Sequence, residues 1–282
     1  MNKRWFTEAL HTDVKAGYLR NKLIYKKDSS LQKLEIFENR GLGRILALDN
    51  IVQTTEKDEF IYHEMLSHVP LLSHKSPKKI LIIGGGDGGI LREVLKHEIT
   101  KVTLVEIDKN VIELSHKYLP KISRNSFRSK KAEVIIKDGA EFVKTTGDKY
   151  DVIIIDSSDP IGPARILFQK EFYKNISRIM NKDGIMARQC GSSFFQPKEL
   201  RDNFKIAKKI FAYTSVYLAA VPTYVGGFFS LLFCSKTINP SKIDEKSLVK
   251  KIGRLNLKTK YYNPEIHTAS FSLPNYIKEI IK

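Results

Sequence analysis

The chain carries two successive patterns of apolar residues, and each predicts a different kind of structure. Residues 17–55 contain short runs rich in Leu, Ile, Val and aromatic residues. Turn residues such as Asp49-Asn50 separate these runs. This spacing predicts an antiparallel β-meander. The predicted strands are Gly17–Tyr25, Leu31–Phe37, Leu42–Leu48 and Ile51–Thr54. The pair Asp49-Asn50, between two apolar runs, is typical of a two-residue hairpin turn.

From Glu56 the apolar period changes to that of a helix. Five apolar residues recur on one face at helical spacing: Phe60, Ile61, Met65, Leu66 and Val69. We expect Pro70 to end this helix, because proline removes a backbone donor and crowds the preceding turn. The helix is predicted to connect an N-terminal β domain, residues 1–57, with a second domain, residues 58–282, that packs with it as one body.

After Pro77, strands and helices alternate. Compact aliphatic runs without polar alternation, as in strands buried on both faces, occur at Ile80–Ile83, Val102–Val105, Val134–Ile136 and Val152–Ile155. Later strands are predicted at Gly184–Arg188, Ser215–Ala220 and Phe228–Phe233, and helices at Ile90–His97, Asn110–Leu119, Glu141–Thr145 and Pro197–Phe211. The predicted fold class is therefore α/β: a Rossmann-like, methyltransferase-type doubly wound sheet with a small N-terminal antiparallel β domain.

Composition excludes several classes of protein. A chain of 282 residues that is 42% hydrophobic buries a full core, which excludes a disordered protein. Its longest apolar runs are four to six residues, whereas a membrane-spanning helix needs about 18. No apolar stretch of the kind found in a signal peptide follows the basic N-terminus, and only Cys190 and Cys234 are present. We expect a cytoplasmic protein without a disulfide framework.

The formal charge of +17 raises the alternative of a basic nucleic-acid-binding protein on the same fold. The 48 basic residues comprise 36 Lys and 12 Arg, and the Lys residues are scattered along the chain. Arginine is the residue that grips phosphates and base edges with a fork of donors. Nucleic-acid binding is therefore the weaker interpretation of the charge.

An acidic residue follows each of the first four predicted strands of the second domain. These residues are Asp87, Glu106, Asp138, Asp156 and Asp159. Ligands bind beyond the carboxyl ends of the strands in such sheets, so we expect these carboxylates to meet at one edge. Their mutual repulsion predicts a cationic ligand, which would relieve it.

The glycine-rich turn after the first of these strands narrows the choice of ligand. Gly84, Gly86 and Gly89 have the G-x-G-x-x-G spacing of dinucleotide binders. Asp87 within that turn would repel a pyrophosphate, whereas it suits the cationic end of an adenosyl-sulfonium compound. Glu106, about 20 residues further on, suits the ribose hydroxyls. Asp138 suits the adenine amino group, and the alternative for Asp138 and Asp108 is a helix N-cap.

Several longer motifs occur in a fixed order along the chain. They are LDNIVQTTE (48–56), YHEM (62–65), GGGDGGILRE (84–93), VEID (105–108), DSSDPIGP (156–163), PTYVGG (222–227) and YYNPEIH (261–267). In these motifs the chain resembles the spermidine synthases, the polyamine aminopropyltransferases, from Trp5 to Pro274. One departure is Ala164-Arg165, where the family usually places a small residue and then an acid.

The resemblance implies transfer of the aminopropyl group of decarboxylated S-adenosylmethionine to putrescine, giving spermidine and methylthioadenosine. It also implies that the donor is a co-substrate and that the chain forms at least a homodimer. Because the sulfonium of the donor is already a strong leaving group, we expect no metal or other cofactor. The implied donor-binding residues are Gln32, Asp87, Glu106, Asp138, Gly139 and Pro163. The implied diamine-binding residues are Tyr62, His63, Asp87, Asp159 and Tyr224, and the implied catalytic acid–base residue is Asp156.

The chemistry of the implied reaction suits Asp156. An alkylamine with a pKa near 10.4 is protonated at pH 7, and only its neutral form attacks. A carboxylate at the end of a buried strand, three residues before Asp159, is suited to accept that proton. The second alternative is an S-adenosylmethionine-dependent methyltransferase, although several acids would then face the carboxylate of methionine. The sequence leaves open whether putrescine, cadaverine, agmatine or spermidine is the acceptor.

Overall fold

Two antiparallel sheets form the N-terminal part of the computed structural model, which describes residues 4–11, 13–29, 31–159 and 162–282. A two-stranded sheet pairs β1 (Trp5–His11) with β2 (Val14–Leu19). A four-stranded sheet contains, in order, β3 (Lys22–Asp28), β4 (Lys33–Asn39), β5 (Gly43–Leu48) and β6 (Ile51–Thr55). The predicted meander is confirmed from β3 onwards. The prediction of one strand over Gly17–Tyr25 was wrong, because the chain changes sheets at Arg20-Asn21.

The turn between β5 and β6 has the predicted two residues. Asp49 and Asn50 have φ values of 49° and 63°, both in the left-handed region. Asn and Asp tolerate this region better than other side chains, and it matches the twist of the paired strands. The Asp49 side chain also accepts a hydrogen bond from the Lys33 backbone N–H (2.9 Å), which attaches the turn to β4.

Helix α1 (Glu59–Ser73) runs past Pro70, so the prediction that this proline ends the helix was wrong. The predicted single apolar face was also wrong, because every residue from Ile61 to Ser73 is buried. Packing on all sides of the helix outweighs the cost of one proline near its end. Burial on all sides also brings polar side chains of α1 into the interior, including Tyr62 and His63.

A seven-stranded sheet forms the centre of the remaining chain. Its strands are β7 (Lys79–Gly84), β8 (Lys101–Glu106), β9 (Ala132–Ile136), β10 (Tyr150–Asp156), β11 (Met180–Ser192), β12 (Tyr213–Ala220) and β13 (Phe228–Ser235). Their order is β12-β13-β11-β10-β7-β8-β9, and β13 runs in the opposite direction to the other six strands. The predicted doubly wound architecture is confirmed. The strand order reverses between β7 and β10, which is where such sheets bind ligands.

The helices cover both faces of this sheet. After α1 they are α2 (Gly89–Val94), α3 (Lys109–Tyr118), α4 (Pro120–Ser123), α5 (Gly139–Thr145), α6 (Lys170–Ile179), α7 (Pro197–Lys208), α8 (Glu245–Leu255), α9 (Pro264–Ala269) and α10 (Asn275–Ile280). The sequence patterns did not predict α4, α6 or the last three helices. Among the residues that the structure describes, no helix is both long enough and apolar enough to cross a membrane.

Successive side chains of the central strands point to opposite faces of the sheet and pack into two separate hydrophobic cores. Ile82 and Ile154 pack toward α1 and α2, while Ile153 and Ile155 pack toward α6 and α7. Burial on both faces is thus confirmed for β7, β8 and β10. It was wrong for β9, where Ile136 is 46% exposed because this strand lies at the edge of the sheet.

The N-terminal sheets are attached to the large sheet by polar and apolar contacts. Gln32 donates a hydrogen bond to Asp108 (3.0 Å), and Arg44 donates one to the Tyr118 carbonyl (2.6 Å). An apolar cluster joins β4 and β5 to α3 and the segment that follows it, and it contains Leu34, Ile36, Leu46, Val111, Leu114, Leu119 and Ile122. The cleft between these parts contains the pocket described below.

Candidate active site

The five acids predicted to meet at one edge of the sheet line a single pocket. This pocket opens beyond the carboxyl ends of β7, β8 and β10, and Glu8 and Gln53 of the N-terminal sheets close its other side. Its described lining includes Asp87, Glu106, Asp138, Asp156 and Asp159 and no Lys or Arg. Although the chain as a whole is strongly basic, the pocket is therefore anionic and suits a cationic ligand.

Glycines of the turn after β7 allow the backbone to approach these acids closely. A Cβ at Gly84, whose φ is +80°, would lie 2.1 Å from the Asp156 carbonyl oxygen. A Cβ at Gly86 would lie 2.9 Å from the Glu106 carboxylate. The glycine pattern of this turn therefore reflects contacts within the site as well as room for a ligand.

Asp156 ends β10, and Tyr62 of α1 donates a hydrogen bond to it over 2.6 Å. Burial and the nearby charge of Asp87 raise the pKa of Asp156 to about 6, although His63 and the Tyr62 hydroxyl oppose this shift. Burial also raises the pKa of Tyr62 well above its ordinary value, so its hydroxyl keeps the proton that it donates. A carboxylate with a raised pKa is a stronger base than an ordinary one.

Asp87 and His63 form an ion pair beside Asp156. The distance from His63 Nε2 to Asp87 Oδ2 is 3.2 Å, and Asp87 Oδ1 accepts a hydrogen bond from the Gly89 N–H (2.8 Å). Burial opposes the charge of Asp87, but His63 outweighs it and lowers the pKa of Asp87 below its ordinary value. Burial opposes the charge of His63 too, yet Asp87 and Glu59 raise its pKa to about 10.

The side chains of His63, Asp87 and Asp156 are close enough together to contact one metal ion, because their potential ligand atoms lie within 4.8 Å of one another. Metal ions bind the unprotonated nitrogen of imidazole. In this structure both ring nitrogens of His63 face carboxylate oxygens, at 2.6 Å from Glu59 and 3.2 Å from Asp87. An imidazolium with two such partners has no lone pair to offer to a metal.

Glu106 lies at the end of β8, where a ribose is expected. Its Oε1 accepts the Asp108 backbone N–H (2.9 Å), which leaves Oε2 toward Gly86. Burial raises the pKa of Glu106 to about 7 despite these backbone hydrogen bonds, and the nearby Asp108 and Asp156 add to this effect. Hydrogen bonds from ligand hydroxyls would favour the charged form of Glu106.

The N-cap alternative is confirmed for both Asp138 and Asp108. Asp138 Oδ1 accepts the Ala140 N–H (2.7 Å) at the start of α5, and Asp108 accepts the Asn110 N–H at the start of α3. Capping does not exclude a second role for Asp138, because its Oδ2 accepts no hydrogen bond from any described residue. Beside it, a Cβ at Gly139 would lie 2.4 Å from the Ile83 side chain.

Of the remaining predicted donor-binding residues, the structure describes Gln32 fully and Pro163 only in part. Gln32 reaches the pocket from the N-terminal sheet and donates to Asp108 (3.0 Å). Pro163 belongs to a 3₁₀ helix, Gly162–Phe168, but its side chain lies outside the part that the structure describes. Pro160 and Ile161 lie wholly outside the described residues. Arg165, the departure from the family pattern, is exposed to solvent.

The pocket lining also contains a pair of acids, Asp159 and Glu8, that interact with each other. Asp159 accepts a hydrogen bond from Gln196 (2.7 Å), and Glu8 of β1 accepts one from the Val52 N–H (2.6 Å). Burial raises the pKa of Glu8 to about 7, and Asp159 contributes to the shift. Tyr224 lines the pocket as well and donates to the Gln53 carbonyl (2.6 Å). The sequence analysis missed Glu8 because it did not predict β1.

Comparison with known proteins gives a consistent result over the whole chain. The family model "Spermine/spermidine synthase domain" matches residues 59–247, and "Spermidine synthase tetramerisation domain" matches residues 4–56. The polyamine aminopropyltransferase of Caldicellulosiruptor bescii is 47% identical over 279 residues, which cover 99% of this chain and 98% of that protein. The protein of the same name from a Ruegeria species is 44% identical over 277 residues, 98% of each chain.

Two solved structures are also similar. A spermidine synthase in complex with the transition-state analogue AdoDATO is 43% identical, with a TM-score of 0.94, covering 100% of this chain and 96% of that one. The spermidine synthase from Thermotoga maritima is 42% identical, with a TM-score of 0.91, covering 100% of this chain and 95% of that one.

Proposed function

The chain belongs to the spermine/spermidine synthase family, and from this premise we propose that it is a polyamine aminopropyltransferase. It moves the aminopropyl group of decarboxylated S-adenosylmethionine to putrescine, giving spermidine and methylthioadenosine. The observation that supports this assignment most directly is the carboxylate of Asp156, held by Tyr62 beside a second carboxylate, Asp87, in an anionic pocket. This arrangement provides one acid to receive a proton and one to hold a cation.

The donor occupies the end of the pocket near β7 and β8. Glu106 accepts hydrogen bonds from the ribose hydroxyls, and the free Oδ2 of Asp138 accepts one from the adenine amino group. Gln32, Gly139 and Pro163 complete the donor site by the family resemblance. The ammonium of the aminopropyl group pairs with Asp87, whose negative charge His63 stabilises.

The diamine lies along the remaining length of the pocket, with Tyr62 and Tyr224 against its methylene groups. Its distal ammonium lies between Glu8 and Asp159, and its reacting nitrogen lies at Asp156. The pocket thus offers negative charge at both ends of the diamine. This placement adds Glu8 to the residues that the sequence motifs had indicated.

The reaction is a displacement at carbon. The amine lone pair forms a bond to the methylene carbon next to sulfur, the carbon–sulfur bond breaks toward sulfur, and neutral methylthioadenosine leaves. Freeing the lone pair of a protonated amine at pH 7 costs about 4–5 kcal/mol, and transfer of its proton to Asp156 offsets part of this cost. The sulfonium is a good leaving group, so alignment and deprotonation are the main tasks of the protein.

The pocket disfavours the methyltransferase alternative. S-adenosylmethionine carries a carboxylate where the decarboxylated donor has only hydrogen, and the described lining offers no Lys or Arg to pair with it. We therefore expect calorimetry to show tighter binding of the decarboxylated donor. Equal affinity for the two sulfonium compounds would contradict the proposed selectivity.

We further propose that the chain acts as a homo-oligomer on small molecules in the cytoplasm. The resemblance implies at least a homodimer, and the description of the family model that matches residues 4–56 favours a tetramer. Light scattering coupled to size-exclusion chromatography measures the oligomeric state directly.

Nucleic acid is not a proposed partner. The surface charge should give only weak, unsaturable gel shifts that vanish with salt.

A panel of amines with the decarboxylated donor tests the proposed function. We expect mass spectrometry to detect aminopropylated putrescine as the main product, with less from cadaverine, agmatine or spermidine. The variant Asp156→Asn, incubated in parallel, controls for contaminating enzyme. Absence of transfer to every amine, or transfer of a methyl group from S-adenosylmethionine, would refute the proposal.

A further inference from the structure

Four charged side chains of alternating sign run from the pocket into the protein interior. In order they are Asp87, His63, Glu59 and Arg92, and we call them the charged row. All four are buried, with between 2% and 9% of each residue exposed. Only Asp87 and His63 line the pocket, while Glu59 and Arg92 lie behind them and touch no part of it.

We propose that Glu59 and Arg92 are positioning residues: through His63 they hold Asp87 as a carboxylate, so that Asp156 alone receives the proton in the reaction. This inference rests on the proposed aminopropyl transfer for the step it serves. It also gives His63 a different role from direct contact with the diamine. A cationic imidazole repels an ammonium and acts instead on the carboxylate beside it.

The contacts along the charged row favour one protonation state for each member. Arg92 donates to both oxygens of Glu59, at 3.0 and 2.8 Å, which favours an ionised Glu59. Glu59 Oε2 also lies 2.6 Å from His63 Nδ1. Asp87 lies 3.2 Å from the other ring nitrogen, so carboxylates flank both nitrogens of His63 and favour a proton on each of them.

Arg92 is itself held in place behind the charged row. Its Nε donates to Glu93 (2.6 Å) and its Nη1 to the Ile122 carbonyl (2.6 Å). Glu93 in turn pairs with His68 (2.9 Å) and Lys96 (2.5 Å). The guanidinium therefore cannot rotate away from Glu59 without breaking a buried network.

Two neighbouring carboxylates in one pocket share a proton, and the environment decides which of them carries it. Asp87 has a cation and a backbone N–H as partners, whereas Asp156 has, among the residues that the structure describes, only the hydroxyl of Tyr62. The directions of the shifts agree with this difference, since the pKa of Asp87 is lowered and that of Asp156 is raised.

The groups that face this pair come from several elements. They are Glu59, Tyr62 and His63 of α1, Arg92 of α2, Glu106 of β8 and Tyr224. Burial raises the pKa of each tyrosine well above its ordinary value, so both stay neutral. His63 and Arg92 are the cations among them. Loss of the charge on His63 would therefore move the proton-binding range of both carboxylates to higher pH.

Nuclear magnetic resonance of ¹⁵N-histidine-labelled protein tests the charge of His63 without any substrate. The signal is assigned by its loss in His63→Gln. We expect the wild-type ring to have two protonated nitrogens at pH 8, and the ring of Glu59→Gln to be neutral at that pH. A neutral His63 in the wild type, or an unchanged ring in Glu59→Gln, would overturn the inference.

The pH dependence of the rate tests the consequence for catalysis. We expect Glu59→Gln to lose about tenfold or more in kcat/KM at pH 7 and to approach the wild type near pH 9, because its base stays protonated to higher pH. Arg92→Lys keeps a cation but loses the fork, so its shift should be smaller and in the same direction. A merely structural defect would lower the rate equally at every pH, and that result would contradict the inference.

A matched control lies in the N-terminal sheet. Glu35 is also buried, with 5% exposure, and pairs with Arg20 (2.9 Å), but it does not line the pocket. Glu35→Gln should leave the pH profile unchanged. If the wild type transfers no aminopropyl group, the proposed function fails, yet the resonance of His63 still decides the charge of the row. If Glu59→Gln does not fold, the pH profile of Arg92→Lys and the wild-type spectrum of His63 test the inference instead.

Discussion

The hydroxyl of Tyr62 lies 2.6 Å from Asp156 Oδ1, and this hydrogen bond links α1 to the end of β10. Because this hydrogen bond favours the carboxylate form, its loss in Tyr62→Phe should raise the pKa of Asp156 further above 6. The acidic limb of the pH–rate profile should then move to higher pH, and kcat at pH 7 should fall about tenfold. Tyr213→Phe, at a partly exposed tyrosine, is the control. An unmoved limb would contradict the role given to Tyr62.

Asp156→Asn should retain the fold and lose most of the rate. The amide oxygen can still accept the Tyr62 hydrogen bond, but an amide cannot take a proton from the attacking amine. General-base removal of this kind lowers kcat by about 10²–10⁴. Single-turnover kinetics at saturating donor and diamine measure the chemical step. Turnover within a factor of three of the wild type would exclude Asp156 as the base.

The same variant should be more stable than the wild type above pH 6. The pKa of Asp156 in the folded protein, about 6, lies above its ordinary value of 3.8, so the folded state holds its proton more tightly. Stability is therefore lost as pH rises from 3.8 to 6, and the full penalty persists above pH 6. We expect Asp156→Asn to gain on the order of 1–3 kcal/mol at pH 8 and nothing near pH 3.

Chemical denaturation at several pH values measures that difference. Asp202→Asn, at an exposed carboxylate of α7, is the control and should show no comparable dependence on pH. A gain that is equal at all pH values would point to a packing effect and contradict the electrostatic explanation.

Glu8→Gln should raise the KM for putrescine about tenfold or more and leave the KM for the donor unchanged. A hydrogen bond between two charged groups contributes about 1.5–3 kcal/mol, and the amide replaces it with a weaker one. Because burial raises the pKa of Glu8 to about 7, wild-type affinity for putrescine should increase from pH 6 to pH 8, and the variant should lose this increase. Glu113→Gln, on the exposed side of α3, is the control. Equal changes for both substrates would contradict the assignment.

Gly89→Ala should disrupt the charged row by steric contact alone. A Cβ at this position would lie 2.2 Å from His63 Cε1 and Nδ1, so the imidazole would have to move away from Asp87 or Glu59. Overpacking of this kind costs about 1–3 kcal/mol. In α8, a Cβ at Gly253 would meet nothing within 4 Å, so Gly253→Ala should instead stabilise by about 0.5–1 kcal/mol. Denaturant titration compares the two, and a neutral Gly89→Ala would show that the ring has room.

The sequence predicted the sheet and its acidic edge because both depend on local patterns. Runs such as Ile80–Ile83 favour buried strands, and the chain direction places Asp87 and Asp156 at the carboxyl ends of β7 and β10. Pro70 misled the analysis because tertiary burial of α1, which no local pattern contains, outweighs the cost of a proline. Glu8 was missed because β1 gains its place through Phe6, which packs against Phe37 far along the chain.

The charge of His63 was beyond prediction for a similar reason. It depends on Glu59 and Arg92, which are 33 residues apart and meet only when α1 packs against α2. The sequence shows a histidine next to a tyrosine, and that context favours contact with substrate. Only the folded arrangement shows that both ring nitrogens already have partners.

The hydrogen bond from Gln32 to Asp108 affects how this protein could be recombined with others. It joins the four-stranded sheet to the capping residue of α3, and Arg44 binds the last turn of the same helix. A chimera that takes only its first fifty-odd residues from a relative would replace half of each contact. Such a chimera should keep both contacts only where the relative supplies a glutamine and an arginine at the matching positions, whereas a graft that also transfers the α3 segment carries both halves of each contact with it.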